Sequence, residues 1–253
     1  MSRPSARSIA FNRRLRSAWL EEGLRLRCEG IDGEPWLERM EDLVSIETKG
    51  RDSITKSMRY LRHIWTDTGA SDPLRDEAIE LYQETPTKDV ARVLSWGMAS
   101  ATYPFLHDVA TTLGRMLKVQ PEVKLEQLLR KLSETYGEKE TVRRSARYSL
   151  GLIHELGFVE RTESVGCYIL VPPRRVSPPP VAGWLARAWF RASGNDGIVD
   201  RAIMASAPGL VFFDAPSLIA DALQQGVLAV ERLSFSQDSL RVLQPGADDH
   251  FSA

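Results

Sequence analysis

The stretch from Lys124 to Val171 constrains the fold more than any other part of this sequence. It opens with an amphipathic pattern over 124–136, in which one helical face is apolar. That face carries Leu125, Leu128, Leu129 and Leu132. Gly137 supplies a turn, and a second apolar stripe with helical spacing then predicts a helix over 138–156 that Gly157 ends. The stripe consists of Val142, Ala146, Leu150, Ile153 and Leu156.

Two β-rich runs follow the second helix directly. They are residues 158–162 and 167–171, and the four residues between them end in Gly166. A short connection of this kind is typical of a β-hairpin. Helix, tight turn, helix and hairpin is the order of a winged helix-turn-helix, and the phrase LGFVER is a common helix-to-strand junction in that class. The sequence therefore predicts a winged helix-turn-helix over 121–176.

The second predicted helix has a basic side. Lys139, Arg143 and Arg147 are one turn apart, Arg144 lies beside them, and only Glu140 and Glu155 oppose them. Such a helix fits the major groove of duplex DNA, where arginines reach phosphates and guanine edges. The predicted DNA-binding residues are Lys139, Arg143, Arg144, Arg147, Tyr148, Arg161, Arg174 and Arg175. The alternatives are a solvated helix face and a winged helix that contacts only proteins.

The region before this module, 1–120, has the apolar spacing of a helical bundle. One periodic helix is predicted from Ile9 to Leu26, and the tryptophans of the region are predicted core anchors. These are Trp19, Trp36, Trp65 and Trp96. Several arginines near the N-terminus fit either a phosphate-binding arm or a solvent-facing helix edge. They are Arg3, Arg7, Arg13, Arg14 and Arg16.

A proline-rich break, PPRRVSPPP over 172–180, separates the last region. Prolines hold a chain extended, so this segment is predicted to be a linker before a small α+β domain over 181–253. That domain is expected to contain a short strand at 210–213, a helix near Ser217 and paired strands at 227–233 and 240–243. This order over 217–243 resembles a second winged helix. The expected fold class is therefore mainly α, with a small C-terminal α+β unit.

The composition argues against a membrane-spanning or disulfide-rich protein, and the sequence contains no motif of a particular enzymatic reaction. The chain of 253 residues is 43% hydrophobic with a net charge of −1, and it has no apolar run long enough to span a bilayer. Cys28 and Cys167 are isolated, the four histidines are scattered, and no phosphate-loop or nucleophile motif occurs. We therefore expect no catalytic residues, cofactor or metal, and a cytoplasmic protein. The Arg- and Ser-rich start also fits a mitochondrial transit peptide, but the continuous helix favours the cytoplasm.

Three segments within residues 9–171 resemble the small BrxA-type proteins of bacterial BREX phage-defence systems. They are AFNRRLRSAWLEEGLRLRCEGID at 10–32, SITKSMRYLRHIW at 53–65 and TVRRSARYSLGLIHELGFVE at 141–160. The resemblance implies a non-enzymatic, DNA-binding accessory component of a defence system, with duplex DNA and other defence proteins as partners. Two alternatives stay open: an assembly subunit of a larger defence complex, and a ligand-responsive transcription regulator. The oligomeric state is not determined by the sequence.

Overall fold

The computed structural model describes residues 11–66, 72–195, 197–234 and 237–243. Within these ranges the protein is mainly helical, and its strands form two small antiparallel sheets in the C-terminal half. The predicted mainly α class is therefore confirmed. Predictions for the first ten residues, including Arg3 and Arg7, and for the last ten lie outside the described residues.

The described residues of the N-terminal part form a bundle of six helices. They are α1 (Ser17–Cys28), α2 (Gly33–Glu47), α3 (Arg51–Trp65), α4 (Pro73–Glu84), α5 (Lys88–Thr102) and α6 (Pro104–Leu117). Local signals set several of the starts: the Asp72 side chain accepts a hydrogen bond from the Leu74 amide, and Thr87 accepts one from Val90. All four predicted tryptophan anchors are at most 2% exposed, so that prediction is confirmed.

The first helix starts later than the sequence predicts, at Ser17 instead of Ile9. Phe11 has a φ of 60° and is buried, with its ring 4.9 Å from that of Tyr103. The amide of Asn12 donates to the Tyr60 hydroxyl at 3.2 Å, and Arg16 is extended. Tertiary contacts of Phe11 and Asn12 thus override the helical periodicity of this segment.

The central unit runs from α6 through β1 (Val123–Lys124), α7 (Leu125–Tyr136), α8 (Glu140–Glu155), β2 (Val159–Arg161) and β3 (Cys167–Leu170). Both predicted helices and the hairpin are present. β1 was not predicted, and it pairs with β3, so that the antiparallel sheet has the order β1-β3-β2. The helices α6, α7 and α8 all contact one another.

The C-terminal unit repeats this order of elements. It consists of α9 (Pro179–Ser193), β4 (Ile198–Asp200), α10 (Arg201–Ala205), a 3-10 helix (Pro208–Leu210), α11 (Ala215–Gln224), β5 (Leu228–Ser234) and β6 (Gln237–Val242). The sheet order is β4-β6-β5, so the first strand again lies beside the last. The predicted pairing of 227–233 with 240–243 is confirmed in outline. The predicted strand at 210–213 is wrong, because the 3-10 helix ends there and the described residues form a single bridge at this place, between Arg174 and Phe213.

The proline-rich segment packs against the rest of the protein instead of standing free in solvent. Val176 is 3% exposed, the Arg174 amide donates to the Phe212 carbonyl at 3.1 Å, and α9 begins within the segment at Pro179. The three predicted domain boundaries stay a prediction. The buried side chains of all three regions form one hydrophobic cluster.

Helix α9 of the C-terminal unit approaches α5 of the bundle closely at Gly97. A Cβ atom at this position would lie 2.5 Å from Cη2 of Trp184 and 3.3 Å from Cβ of Ala188. Trp184 is fully buried, and its indole N–H donates to the Leu74 carbonyl on α4 at 2.7 Å. The indole therefore cannot move aside without losing this hydrogen bond.

Gly97→Ala should therefore destabilise the protein by about 1 to 3 kcal/mol, as overpacking of a core does. Gly151→Ala is the matched control, since Gly151 is also inside a helix but an added Cβ would meet nothing within 4 Å. It should be neutral or stabilise the protein by up to about 1 kcal/mol. Urea unfolding of both variants measures the difference, and equal midpoints would contradict the packing of α9 on α5.

Candidate nucleic-acid interface

Helix α8 has one buried and one exposed face, as its 3.6-residue period requires. Val142, Ala146 and Ile153 are fully buried, together with the small side chains of Ser145 and Ser149. The opposite face carries Glu140, Thr141, Arg144, Arg147, Tyr148 and Gly151. The exposed cations therefore lie in the N-terminal half of the helix.

The structure divides the predicted cations of this helix into three positions. Lys139 precedes the helix as its N-cap residue and is exposed. Arg144 is at the centre of the exposed face, with Arg147 and Tyr148 on either side of it. Arg143 lies at the edge towards α7, where its side chain is 36% exposed. The predicted basic side of α8 is thus wider than a single row of residues. Arg144 and Arg147 face away from the protein, whereas Arg143 lies at the edge of the exposed face.

Three of these arginines have carboxylate partners. Arg143 donates to Glu126 of α7 at 2.8 Å, Arg147 Nη2 lies 3.6 Å from the same carboxylate, and Arg144 lies 3.7 Å from Glu140. The Glu126 side chain is 66% exposed, so these pairs are solvated and individually weak. The sequence analysis missed Glu126, because it belongs to another helix and only the packing of α7 against α8 brings it here.

Gly151 lies on the exposed face of α8, between Arg144 and the end of the helix. A glycine inside a helix costs about 0.5 to 1 kcal/mol relative to alanine. At Gly97 a neighbouring ring explains the glycine, whereas an added Cβ at Gly151 would meet nothing within 4 Å. No contact among the described residues accounts for this glycine. The absence of a side chain leaves room for another surface to approach the helix backbone.

The hairpin after α8 presents one cation and an apolar tip. Arg161 is exposed on β2 and lies 5.9 Å from the centre of the Tyr168 ring. Burial, and then the charge of Arg161, lower the pKa of His154, so this histidine is uncharged at neutral pH. At the tip, Val165 is fully exposed beside the acidic residue Glu163.

The last two predicted site residues, Arg174 and Arg175, lie between the central unit and the C-terminal unit. Arg174 donates to the Gly157 carbonyl at 3.1 Å and thereby satisfies a backbone group at the end of α8. Arg175 is 3.5 Å from Asp221, a carboxylate that is only 9% exposed, although Arg175 itself is 67% exposed. Both residues join the central unit to the C-terminal unit, and the structure does not bring Arg174 onto the exposed face of α8.

The C-terminal end of α8 is attached to the segment that precedes α1. Arg14 and Arg16 donate to Glu155 at 2.6 and 2.7 Å, and the Ser17 amide donates to it at 3.2 Å. Arg16 also pairs with Glu47. The three N-terminal arginines that the structure describes are thus engaged in ion pairs within the protein, since Arg13 pairs with Asp52 at 2.8 Å.

These contacts change the ionisation of Glu155. Burial alone would raise its pKa, but the hydrogen bonds from Arg14, Arg16 and the Ser17 amide outweigh burial and hold the pKa below its usual value. A carboxylate at a helix C-terminus is also repelled by the helix dipole. The two guanidinium groups compensate for both costs, so Glu155 stays charged and fixes the helix end.

The described residues contain no group of three or more His, Cys, Asp or Glu side chains arranged to hold a metal ion. Burial raises the pKa of the Cys28 thiol to about 11, so it is protonated at neutral pH. Cys167 is buried. Within the described ranges, no helix combines the length and the apolar character that crossing a bilayer requires.

Comparisons with protein-family models, with curated proteins and with solved structures find no match to this chain. The function must therefore be argued from the geometry of the chain itself.

Glu155→Gln should destabilise the protein by about 1 to 2 kcal/mol at pH 7, because it leaves two arginines without their half-buried anion. The native pKa of Glu155 is depressed, so its contribution is complete above the usual value of 4.5 and is lost as the pH falls through the native pKa. Urea unfolding at several pH values should show the variant and the wild type converging below pH 4.5.

Glu163→Gln provides the control, because Glu163 is exposed in the hairpin turn and has no ion pair among the described residues. It should leave the stability unchanged at every pH. A difference in stability between wild type and Glu155→Gln that does not depend on pH would contradict the charged clamp, by which we mean the ion pairs of Glu155 with Arg14 and Arg16.

Proposed function

We propose that this chain is a non-enzymatic DNA-binding protein in which residues 104–170 form a winged helix-turn-helix. In this proposal α7 and α8 are the helix-turn-helix, α8 is the recognition helix and the β2–β3 hairpin is the wing. The single observation that carries the proposal is that the N-terminal half of α8 is exposed and bears arginines. It does so within a unit that has the helix, strand, helix, helix and hairpin order of a winged helix.

Three features support the assignment of the fold. The order is helix, strand, helix, helix, hairpin, and the lone first strand completes the sheet beside the last. The three helices pack against one another. The N-terminal residues of a recognition helix are the ones that contact base edges in this class of protein. In α8 these residues are exposed, whereas its C-terminal end is occupied by contacts with Arg14 and Arg16.

The electrostatics of α8 fit a partner that carries many negative charges. Glu126 and Glu140 occupy the arginines only through solvated ion pairs, which a phosphate backbone can replace. Duplex DNA adds the release of counterions for each phosphate that is neutralised. The absence of a side chain at Gly151 would let the DNA approach the helix closely. Together these features favour DNA over a neutral partner.

The resemblance of the sequence to BrxA-type proteins adds a cellular role to this proposal. It suggests an accessory component of a bacterial BREX-like phage-defence system, located in the cytoplasm and acting on duplex DNA without catalysing a reaction. No part of the geometry bears on the defence system itself, so this role depends on the resemblance alone.

Replacing Arg143, Arg144 and Arg147 together by alanine should remove most of the affinity for duplex DNA at low salt. Each lost phosphate contact should also reduce the slope of log K against log salt by about 0.9. Fluorescence anisotropy with a labelled duplex over a salt titration measures both quantities. Circular dichroism checks that the variant is folded.

The matched control removes three exposed cations from elements outside the proposed winged helix, through Arg39→Ala, Lys88→Ala and Arg201→Ala. It changes the net charge equally and should retain most of the affinity and the slope. If the two triple variants bind DNA alike, α8 is not the recognition helix and only the net charge matters.

Glu126→Gln should have the opposite effect and tighten DNA binding several-fold at low salt. The substitution releases Arg143 and Arg147 and removes a negative charge from the same surface, so the gain should shrink as salt screens it. Glu134→Gln on the same helix is the control, since Glu134 pairs with Lys131 of α7. Equal gains from the two variants would argue against a specific role of Glu126.

A second candidate function, an assembly subunit that docks on a larger protein, is favoured by the hairpin tip. A wing that follows a phosphate backbone benefits from cations, whereas this tip carries the acidic Glu163 and the fully exposed Val165. An exposed apolar side chain at a turn is suited to a protein partner. Wild-type protein without measurable affinity for duplex DNA at low salt would favour this function over the first.

The third possibility, a ligand-responsive transcription regulator, requires an apolar pocket. The cavity between α4, α9 and β6 measures about 450 Å³. Its walls include two ion pairs, Arg187 with Glu77 and Arg191 with Asp72. These charges give no support to an apolar ligand at this position.

A further inference from the structure

Helices α2 and α3 are two consecutive helices of the N-terminal bundle that a short turn joins. Only three residues, 48–50, join them, and Gly50 adopts a φ of 97° that a side chain would disfavour. The two helices pack against each other, and α1 contacts both. A short turn that contains glycine is a common feature of helix-turn-helix motifs.

The exposed side of α3 is basic. Its buried side carries Met58, Leu61, Ile64 and Trp65. The side opposite consists of Arg51, Thr55, Arg59, Arg62 and His63, and we refer to these five residues as the α3 surface. The first four recur every three or four residues, His63 directly follows Arg62, and together they form one stripe along a helix of 15 residues, which is about 22 Å long.

The arginines of the α3 surface differ from those of α8 in having no acidic partner. Within the described part of the chain, Arg51, Arg59 and Arg62 form no ion pair. Asp52, at the start of the helix, is already neutralised by Lys56 and Arg13, each at 2.8 Å. Three guanidinium groups on one helix face therefore form no ion pair within the described protein.

An open groove of about 550 Å³ lies beside this stripe, between α2 and α3. Arg59, Arg62 and His63 line one side of it, and Glu41 is the acidic residue on the opposite side. The groove leaves the guanidinium groups accessible to a partner as large as a nucleic-acid backbone.

Two ion pairs join the start of α3 to the end of α8. Arg13 pairs with Asp52 in the first turn of α3, and the next residue, Arg14, pairs with Glu155 in the last turn of α8. Consecutive Cα atoms are only about 3.8 Å apart, so little more than two arginine side chains separate the two helix ends. The start of α3 and the end of α8 therefore lie close together.

We propose that the α3 surface is a second DNA-contacting helix, which binds the phosphate backbone of the duplex that α8 contacts. This inference rests on the proposed function of α8. A phosphate backbone matches a straight stripe of unpaired arginines. A protein partner would be expected to use apolar or aromatic anchors, whereas the five residues of the α3 surface are polar or charged and the apolar Leu37 and Met58 lie within the adjoining groove.

The double variant Arg59→Ala and Arg62→Ala tests this inference, with a labelled 30-base-pair duplex of arbitrary sequence as the probe. The affinity should fall about tenfold at low salt, on the scale of one charge-assisted hydrogen bond. The slope of log K against log salt should decrease by roughly 2, or about 0.9 for each contact. Both arginines are exposed, and thermal unfolding should confirm that the variant is as stable as the wild type.

Two further variants separate a phosphate contact from other effects. Arg59→Lys with Arg62→Lys keeps both charges and should restore most of the affinity and the slope. Arg39→Ala with Lys88→Ala removes the same charge from α2 and α5 and should behave as the wild type.

The outcomes distinguish the two proposals. If the wild type binds and the α8 variant does not, but the α3 variant keeps the wild-type affinity and slope, then the α3 surface has no DNA contact and α8 keeps its role. If the α3 variant and its Arg39 and Lys88 control weaken binding equally, the effect is one of net charge and the inference is wrong. If the wild type does not bind duplex DNA at low salt, both proposals fail together.

Discussion

The three parts of this structure meet at the C-terminal end of α8, and their arrangement depends on the contacts made there. Phe158 follows α8 after Leu156 and Gly157. Its ring stacks on that of Phe212 with the ring centres 4.9 Å apart and meets Trp96 edge-on at 5.5 Å. These three rings come from the central unit, the C-terminal unit and the N-terminal bundle. One turn earlier, Glu155 is held by Arg14 and Arg16. A buried aromatic cluster and a charged clamp therefore fix the same helix end from two sides.

This attachment determines which part of α8 remains available to a partner. The last turn is occupied by the N-terminal segment, so only the first two and a half turns present Arg144, Arg147 and Tyr148 outward. The same segment reaches the start of α3 through Arg13. The net charge of −1 gives no indication of this arrangement, because acids elsewhere in the chain balance the cations. The proposed DNA-binding role depends on the local distribution of charge, not on its sum.

The sequence predicted α7, α8 and the hairpin well, because their apolar periodicity reports burial along one continuous element. It missed β1 and β4, which have two and three residues and exist only through pairing with strands distant in sequence. It also extended the first helix over residues 11–16, where the burial of Phe11 and the hydrogen bond from Asn12 to Tyr60 stabilise a non-helical backbone. The sequence also did not indicate that Arg174, a predicted DNA-binding residue, donates to the Gly157 carbonyl at the end of α8.

The sequence by itself determined the mainly helical class, the buried tryptophans and the basic composition of α8, since each follows from local spacing and residue type. Only the tertiary structure decided which cations are paired. Glu126, Glu155 and Asp52 acquire their arginine partners through the packing of separate elements, and local spacing carries no information about such contacts. The same packing leaves the arginines of α3 without acidic partners among the described residues. The sequence thus supplied the charges, and the fold determined which of them face each other and which face solvent.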